Sequence, residues 1–299
     1  MYLGSTFVED SFAEAFSMRY TRILVTAHDS HWLEAAVREF SGYASSVIAC
    51  DLEIGVERRI LDEESPDGRP GVALLAFGFS ADAIAGALSN RIGQCVMTCA
   101  TTAVFDGLPL AETRIPLGKH LRFFGDGYQK SKQVGGRRYW RIPVMDGEFL
   151  VEDDAGAAKG VAGGNIIIQA DSQVAALDAA RRAVASVQEL PGVILPFPGG
   201  VARSGSKVGS RYKKLKASTA DAFCPSLRGR VPTRLVDGAQ CALEVVMDGV
   251  DEKAVGGAMR AAVEAAAGTG VVAVTAGNYG GKLGKFHFPL RRLWDAKAE

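Results

Sequence analysis

The chain has 299 residues, 47% of them apolar, which is enough to fill one large hydrophobic core or two ordinary ones. Its 34 basic residues balance 34 acidic ones, so total charge does not favour a nucleic-acid or membrane partner. No run of about 18 apolar residues occurs, and Glu9, Asp10 and Glu14 stand where a signal peptide carries basic residues. We therefore expect a cytoplasmic protein that binds neither nucleic acid nor membrane.

The first half of the chain contains short apolar runs typical of strands and two amphipathic segments typical of helices. The predicted strands cover residues 22–27, 45–50, 72–78 and 94–99, and the predicted helices cover residues 28–40 and 80–89. Asp29 or Ser30 is suited to cap the first helix, and the PDGRPG segment at 66–71 predicts a turn. The order of elements is βαββαβ.

The second half repeats this order with longer elements. Its predicted strands cover residues 165–170, 193–197, 241–247 and 271–276, and its predicted helices cover 172–188 and 251–267. The segments 169–193 and 246–271 are similar in length and pattern, and each ends in Gly-Val, which indicates an internal repeat. Strands predicted at 121–129, 137–144 and 148–153 would extend a sheet or cover its edge.

This pattern predicts an α+β protein made of two ferredoxin-like α/β-sandwich lobes, a duplicated βαββαβ unit with mainly antiparallel sheets. We expect one lobe to cover residues 1–146 and the other to cover residues 147–299. The second lobe would carry an insertion at 201–239 in which basic residues are concentrated.

The cysteines and histidines give no support to a metal site. Five cysteines without a CxxC pair are typical of reduced thiols. Cys95 and Cys99 lie in a strand-like run with no histidine nearby, so buried thiols are favoured over a zinc site with four ligands. GxSxG, HExxH and a cysteine with an assembled histidine are all absent from the sequence. We expect neither a metal nor a covalent acyl-enzyme.

Glycine-rich stretches adjoin strands at 160–165, 196–200 and 276–284. None matches the GxGxxG or GxxxxGK[ST] patterns, which disfavours dinucleotide and nucleoside triphosphate enzymes. Glycine lets a ligand approach the backbone closely, but it also serves in ordinary turns. Each stretch is therefore a candidate ligand-binding loop, with a plain turn as the alternative.

Glu244 is the most informative carboxylate. Strand alternation in CALEVVM places it on one face with Ala242 and Val246. A carboxyl among apolar neighbours has a raised pKa and can act as a protonated acid near neutral pH. A salt bridge to a nearby basic residue, or an open sheet face, is the alternative interpretation.

Several segments occur together, in the order found in one known family: SFAEAF (11–16), PDGRPGV (66–72), RIGQCVMT (91–98), FFGDGYQ (123–129), GEFLVED (147–153), GVAGGN (160–165), PFPGG (196–200), SKVGS (206–210), ASTADAFCP (217–225) and AGNYGGKLG (276–284). On these segments the chain resembles formylmethanofuran:tetrahydromethanopterin formyltransferase. The balanced charge and the basic insertion further resemble the bacterial form, one subunit of the methylotroph formyltransferase/hydrolase complex.

The resemblance implies an acyltransferase of one-carbon metabolism, acting in formaldehyde oxidation, that uses tetrahydromethanopterin and a methanofuran-type coenzyme as substrates. The formyl group would move directly between N5 of the pterin and the amine of the furan coenzyme, in a ternary complex and through a tetrahedral intermediate. Glu244 matches the glutamate that the family uses near the formyl group as acid and base. The expected partners are three further copies in a homotetramer, and the hydrolase and accessory subunits of the complex.

Further site residues follow from the matched segments. The predicted substrate-binding residues are Asn165, Gly199, Gly200, Ser206, Lys207, Arg211, Asn278, Tyr279, Gly280, Gly281 and Lys282. The glycine loops and Lys282 are candidates to grip the substrates and the oxyanion. A polyglutamate tail on the furan coenzyme would be held by Arg203, Lys213, Lys214 and Lys216. The alternative for these four is a solvated loop.

Two other functions remain open from the residues alone. One is a non-catalytic binding or scaffold subunit of a larger one-carbon complex, because a fold does not determine a function. The other is a formyl hydrolase, which would release formate without partner subunits.

Overall fold

The structure is a computed structural model that describes residues 1–188 and 190–295. The strands are β1 (Tyr2–Leu3), β2 (Thr6–Val8), β3 (Phe12–Thr26), β4 (Glu53–Ile60), β5 (Gly71–Gly78), β6 (Ala103–Asp106), β7 (Thr113–Pro116), β8 (Lys130–Val134), β9 (Arg137–Val144), β10 (Gly147–Glu152), β11 (Asp154–Ala170), β12 (Val193–Ile194), β13 (Lys207–Val208), β14 (Ala217–Ser218), β15 (Cys241–Gly249), β16 (Val271–Thr275) and β17 (Phe286–Pro289). The helices are α1 (Ser30–Ser41), α2 (Ala81–Arg91), α3 (Gly118–Leu121), α4 (Gln173–Gln188) and α5 (Glu252–Ala266).

Residue contacts divide the chain into two compact units. The first unit is Met18–Lys159, and the second unit combines Met1–Ser17 with the chain from Gly160 onward. Strands β3 and β11 each begin in one unit and end in the other. The lobe boundary between residues 146 and 147 stays a prediction, and Glu189 and residues 296–299 of that second lobe lie outside the described residues.

The sheet of the first unit has the strand order β4-β5-β3-β6, and every neighbouring pair is antiparallel. Since β3, β4, β5 and β6 alternate with α1 and α2 as βαββαβ, this is the ferredoxin-like arrangement. Strand β10 adds in parallel to β6 and continues through the antiparallel ribbon β9–β8. The buried core includes Ile23, Phe40, Leu74 and Phe149.

The second unit repeats the same arrangement. Its sheet order is β12-β15-β11-β16, again with antiparallel neighbours, and β2 adds in parallel to β16. Ile168, Val245 and Met247 form its core with residues of α4 and α5, among them Ala183 and Met259. The predicted duplication of a ferredoxin-like unit with mainly antiparallel sheets is confirmed.

The helix boundaries follow from local capping. Asp29 Oδ1 accepts hydrogen bonds from the backbone N–H of His31 at 2.9 Å and of Trp32 at 3.2 Å, so the Asp29 alternative for the first cap is confirmed. The Ser80 hydroxyl caps α2 in the same way, and the Asp251 carboxylate caps α5. The predicted helices at 28–40, 80–89, 172–188 and 251–267 are all present within a few residues of their predicted ends.

Two predicted strands of the first unit are wrong. Residues 45–50 form a turn in which the Cys50 N–H donates to the Ser46 carbonyl at 2.7 Å, and the strand begins only at Glu53. Serine hydroxyls compete for backbone hydrogen bonds and favour such turns, as the Ile48 N–H bond to Ser46 Oγ illustrates. Residues 94–99 continue α2 through a π-helical turn at Ile92–Val96, and the next strand starts at Ala103.

Three other segments also differ from expectation. Residues 121–125 are helical, with a 3₁₀ turn at Arg122–Gly125; a turn follows, and strand β8 begins at Lys130. The strand predicted at 193–197 is confined to Val193–Ile194, because Pro196 has no backbone N–H to donate to a sheet; a 3₁₀ turn follows at Pro198–Gly200. The glycine-rich stretch 160–165 lies inside β11, at a bulge between Val161 and Gly164, and is therefore not a loop.

No helix in the described part of the chain combines the length and the apolar character needed to cross a membrane.

Candidate functional site

A cavity in the second unit is built on one face of β11 and β15 and is covered by loops from the basic insertion. The residues that line it are Ile167, Ala202, Arg203, Ser204, Ser206, Ala220, Phe223, Cys224, Ala242, Leu243 and Glu244. Glu244 and Ser206 are predicted site residues, and Arg203 is a predicted tail-binding residue. The cavity thus brings together residues that the sequence places about 40 positions apart.

Strand alternation positions Glu244 at this cavity. Glu244 and Ala242 line the cavity, whereas Val245 and Met247 are fully buried in the core on the other face of β15. Glu244 lies opposite Ile167 of β11, and its backbone pairs with Ala202 through bonds of 2.8 and 3.0 Å. Glu244 and Ala242 share the cavity face as predicted, and Leu243 between them also lines the cavity. Strand β11 and the segment at Ala202 hold the glutamate in place.

The environment of Glu244 favours the protonated carboxyl. Burial raises the pKa of Glu244, and a hydrogen bond from the Ser206 hydroxyl lowers it only in part. Among the described residues, no ion pair of Glu244 with a lysine or arginine occurs, so the salt-bridge interpretation fails. A carboxyl that lines a cavity and has a raised pKa has the properties of a general acid.

Asn165 ties the loop at 276–284 to the sheet beside Glu244. Its Oδ1 accepts the Gly277 N–H at 2.6 Å, and its Nδ2 donates to the carbonyls of Gly163 at 3.1 Å and Gly277 at 3.2 Å. A Cβ at Gly277 would lie 3.5 Å from Glu244 Oε1. Asn165 is buried, and its amide group is used by these protein contacts.

The remainder of this loop is held by Glu14, a residue that the sequence analysis did not identify as part of the site. The Glu14 carboxylate accepts the backbone N–H groups of Tyr279 and Gly281 on one oxygen and those of Leu283 and Gly284 on the other. These amides are therefore occupied within the protein. Its position in the apolar SFAEAF segment is the signal that could have identified it.

Tyr279 connects this loop to the insertion. Its hydroxyl donates to the Ser206 carbonyl at 3.0 Å, and its ring lies 6.2 Å from that of Phe16, centroid to centroid. Burial and the neighbouring Glu244 carboxyl raise the pKa of Tyr279, so the phenol stays protonated and remains a donor. Tyr279 and Ser206 thus lie in the same cluster as Glu244.

The other predicted loop residues lie in different positions. Asn278 Nδ2 donates to the Phe12 carbonyl at 3.0 Å, and Asn278 Oδ1 accepts the Gly280 N–H at 3.1 Å. Lys282 is exposed. Gly200 is buried, and Gly199 lines a separate depression with residues of α4; neither glycine lines the Glu244 cavity.

The basic residues of the insertion form a hairpin that projects from the cavity loop. Strands β13 and β14 pair, and their connection carries the exposed residues Arg211, Lys213, Lys214 and Lys216. Lys207 forms an ion pair with Asp221 at 2.8 Å. Within residues 1–188 and 190–295, the structure records no ion pair for the four exposed residues of the connection or for Arg203.

Phe223, Cys224 and Arg234 also belong to this region and were missed as individual residues. Phe223 and Cys224 line the cavity. The Arg234 guanidinium lies 5.0 Å from the Phe223 ring centroid and donates to the Ala276 carbonyl at 3.4 Å. The first two lie in the ASTADAFCP segment, but nothing in their spacing indicates which side chains face the cavity.

No cluster of three or more histidine, cysteine, aspartate or glutamate side chains suited to a metal ion occurs in the described part of the chain. All five cysteines are free thiols.

Two family models match the chain in succession. Residues 1–144 match the model described as formylmethanofuran-tetrahydromethanopterin formyltransferase, and residues 147–293 match the model described as the proximal lobe of the same enzyme. A formylmethanofuran–tetrahydromethanopterin formyltransferase from Methylobacillus flagellatus is 50% identical over 98% of this chain and 99% of its own length. One subunit of the formyltransferase/hydrolase complex of Methylorubrum extorquens is 47% identical over 97% of this chain and 96% of its own length.

Solved structures are similar over the same extent. A chain from the crystal structure of the formyltransferase/hydrolase complex of Methylorubrum extorquens, with methylofuran bound, matches with a TM-score of 0.94 and 46% identity, covering 98% of both chains. The formylmethanofuran:tetrahydromethanopterin formyltransferase of Methanosarcina barkeri matches with a TM-score of 0.91 and 43% identity, covering 98% of this chain and 100% of that one.

Proposed function

The chain belongs to the formylmethanofuran–tetrahydromethanopterin formyltransferase family, and we propose that Glu244 is the catalytic acid and base of its formyl transfer. The chain is an acyltransferase of one-carbon metabolism, and its substrates are tetrahydromethanopterin and a methanofuran-type coenzyme. The observation that supports the role of Glu244 is its environment. It is a carboxyl in a cavity, with a raised pKa, one hydroxyl partner and no cation paired with it among the described residues.

The reaction requires two proton movements that one carboxyl can serve. The acceptor amine attacks the formyl carbon, the C=O bond opens to an oxyanion, and the bond from carbon to the donor nitrogen then breaks. The donor nitrogen gains a proton and the acceptor nitrogen loses one. In our mechanism, protonated Glu244 gives its proton to the departing nitrogen and recovers one from the attacking nitrogen, so no net proton is consumed.

Substrate binding is proposed for the residues around this carboxyl. Ser206, Asn165 and Tyr279 would shape the cavity through their contacts with Glu244 and its neighbours. Asn278, Gly280, Gly281, Lys207 and Arg211 would contact the substrates at its margin. Lys282 is our candidate for stabilising the oxyanion, because its ammonium is exposed while the amides of Tyr279 and Gly281 are bound by Glu14. The roles of Gly199 and Gly200 stay predictions.

The basic hairpin suits a polyanionic substrate. We propose that Arg203, Lys213, Lys214 and Lys216 bind a polyglutamate tail on the furan coenzyme. Arg203 lines the cavity, and the lysines lie on the hairpin that starts from the cavity loop, so they form a cationic path that leads away from Glu244. Their attraction for the tail is electrostatic and therefore weakens with salt.

The assembly and setting are proposed on the same family basis. One relative is a subunit of a formyltransferase/hydrolase complex, and for this chain we propose hydrolase and accessory subunits as partners and a homotetramer as its own state. The proposed compartment is the cytoplasm, which keeps free thiols reduced. The proposed setting is formaldehyde oxidation in methylotrophs, and we keep 1–146 and 147–299 as the proposed lobes.

Glu244→Gln tests the mechanism. Glutamine keeps the shape of the side chain and its hydrogen bond from Ser206 but carries no transferable proton, so we expect kcat to fall by about 10²- to 10⁴-fold. KM for both substrates should change little, and circular dichroism should be unaltered. Formyl transfer is followed by pterin absorbance. Glu252→Gln, an exposed change on α5, is the matched control and should keep full activity. Wild-type kcat in Glu244→Gln would remove Glu244 from the mechanism.

A further inference from the structure

We propose that Glu14 is a positioning residue for formyl transfer, acting through Tyr279 and Ser206 on the carboxyl of Glu244. The inference rests on the proposed role of Glu244 and extends it to a residue from the opposite end of the chain.

The first link is the set of four hydrogen bonds at Glu14. One carboxylate oxygen accepts the N–H groups of Tyr279 and Gly281, each at 2.8 Å, and the other accepts those of Leu283 and Gly284, each at 2.5 Å. Glu14 is only 1% exposed. Burial alone would raise the pKa of Glu14, but the four backbone donors outweigh burial and hold the pKa below its ordinary value. The carboxylate is therefore charged and fully used in fixing one loop.

Only a carboxylate suits this place. Four N–H donors require two oxygens that each accept two bonds, and an ionised carboxylate supplies them. The amide of a glutamine keeps one oxygen and would direct its own N–H donors at the other two amides. The loop also packs tightly against the strand that carries Glu14, because a Cβ at Gly284 would lie only 2.6 Å from the Ala15 carbonyl oxygen.

The second link runs from Tyr279 to the catalytic carboxyl. With its backbone held by Glu14, the Tyr279 hydroxyl donates to the Ser206 carbonyl at 3.0 Å. Ser206 and Glu244 line the same cavity, and the Ser206 hydroxyl is the hydrogen-bonding group that lowers the pKa of Glu244. Ser206 lies between Ala202, whose backbone pairs with Glu244, and Lys207 of β13, and its own carbonyl is held by the Tyr279 hydroxyl. The tyrosine thus fixes the backbone that aims the serine hydroxyl.

This series of contacts connects loop order to the protonation of Glu244. The groups around Glu244 are Ser206, which donates to it, Tyr279, which is electrostatically coupled to it, and Arg203 and Cys224, which line the same cavity. The Ser206 bond favours the ionised carboxyl, so its loss raises the pKa of Glu244 further. A substitution of Glu14 that disorders the loop should therefore raise the pKa of Glu244.

The test compares three variants, Glu14→Gln, Tyr279→Phe and Ser206→Ala, with the wild-type enzyme, all as full-length chains. Each variant should lower kcat by about 10-fold, the loss expected for one hydrogen bond to a charged or reacting group. For Glu14→Gln, KM for both substrates should stay within about twofold, because this change removes no substrate contact. In all three variants the alkaline limb of the pH–kcat profile should move to higher pH. The double variant Glu14→Gln/Tyr279→Phe should be no slower than the slower single variant.

The variants separate a positioning role from a structural one. Tyr279→Phe leaves all four Glu14 contacts in place, so it reports on the second link even if Glu14→Gln folds poorly. Tyr2→Phe, at an exposed tyrosine, is the matched control for loss of a hydroxyl. A Tyr279→Phe enzyme with wild-type kcat and an unmoved alkaline limb would overturn the proposal. So would a Glu14→Gln enzyme that loses only thermal stability.

Glu244→Gln is measured beside them to distinguish the two hypotheses. If Glu244→Gln is inactive while Tyr279→Phe behaves as wild type, the positioning role fails and the proposed function stands. If Glu244→Gln is fully active, both fail together.

Discussion

Neutralising Lys213, Lys214 and Lys216 to glutamine isolates the electrostatic role of the basic hairpin. The three side chains are exposed on the connection between β13 and β14, and in the described residues none of them is part of an ion pair. Their removal breaks no internal contact of that kind, so the fold and the Glu244 cavity should be unchanged. The effect should therefore appear only with a substrate whose negative charges reach the hairpin.

The size of the effect follows from the exposure of these side chains. An exposed ion pair contributes roughly a two- to threefold gain in affinity, because water screens it and two long side chains must be ordered. Three such pairs give roughly 10- to 30-fold, so KM for the tailed coenzyme should rise by that factor at low salt. Screening over a Debye length of about 8 Å should reduce the difference at physiological ionic strength and nearly abolish it in 1 M salt.

The assay measures KM for the furan coenzyme with its full tail and with the tail removed, in wild type and in the triple variant. We expect the rise only with the tailed coenzyme and no change in kcat with either. A triple Lys→Arg variant keeps the charge and should retain wild-type KM. Equal changes with the tailed and truncated coenzymes would refute the reasoning, and so would a rise that does not depend on salt.

Two further predictions concern stability. Gly284→Ala should lower the free energy of unfolding by about 1–3 kcal/mol, because its Cβ would meet the Ala15 carbonyl at 2.6 Å. Chemical denaturation measures this free energy. The control Gly257→Ala, at an open position in α5, should instead raise the free energy of unfolding by about 0.5–1 kcal/mol. Glu244 has a raised pKa in the folded chain, so it binds its proton more tightly there than when unfolded. Its contribution to stability is present below the ordinary pKa of about 4.5 and is lost as pH rises toward the folded pKa. The free energy of unfolding of Glu244→Gln should not show this decrease. If the free energies of unfolding of the variant and of wild type differ by a constant amount between pH 4 and 8, the prediction is contradicted.

Local rules predicted the parts of the structure that depend on neighbouring residues. The Asp29 cap and the face assignment of Glu244 follow from spacing within a few positions, and both are confirmed. The secondary structure of a short apolar run is ambiguous, because a buried helical turn and a buried strand can have the same apolar sequence. For that reason residues 94–99 form the end of a helix and turns in place of the expected strand.

Contacts between distant segments could not be predicted in the same way. Glu14 binds amides that lie 265 to 270 residues further along the chain, and no periodicity connects the two segments. The stretch 276–284 is a candidate ligand-binding loop by sequence, whereas the fold directs the amides of Gly281 and Gly284, with those of Tyr279 and Leu283, at the Glu14 carboxylate. The positions of Phe223 and Arg234 likewise depend on how the insertion folds back over the sheet.

Glu14 and Glu244 show that the surroundings of a glutamate, and not only its place in a strand, determine its pKa. Each is a glutamate within a mainly apolar strand segment, and Glu14 is buried while Glu244 is partly buried. Glu14 receives four backbone N–H donors, which lower its pKa, so it is charged and serves to hold a loop. Glu244 receives one hydroxyl, which does not offset burial, so its pKa is raised and its proton remains available. The number of donors that the fold brings to each carboxyl, and not the strand pattern, separates the residue that holds the loop from the residue for which we propose proton exchange.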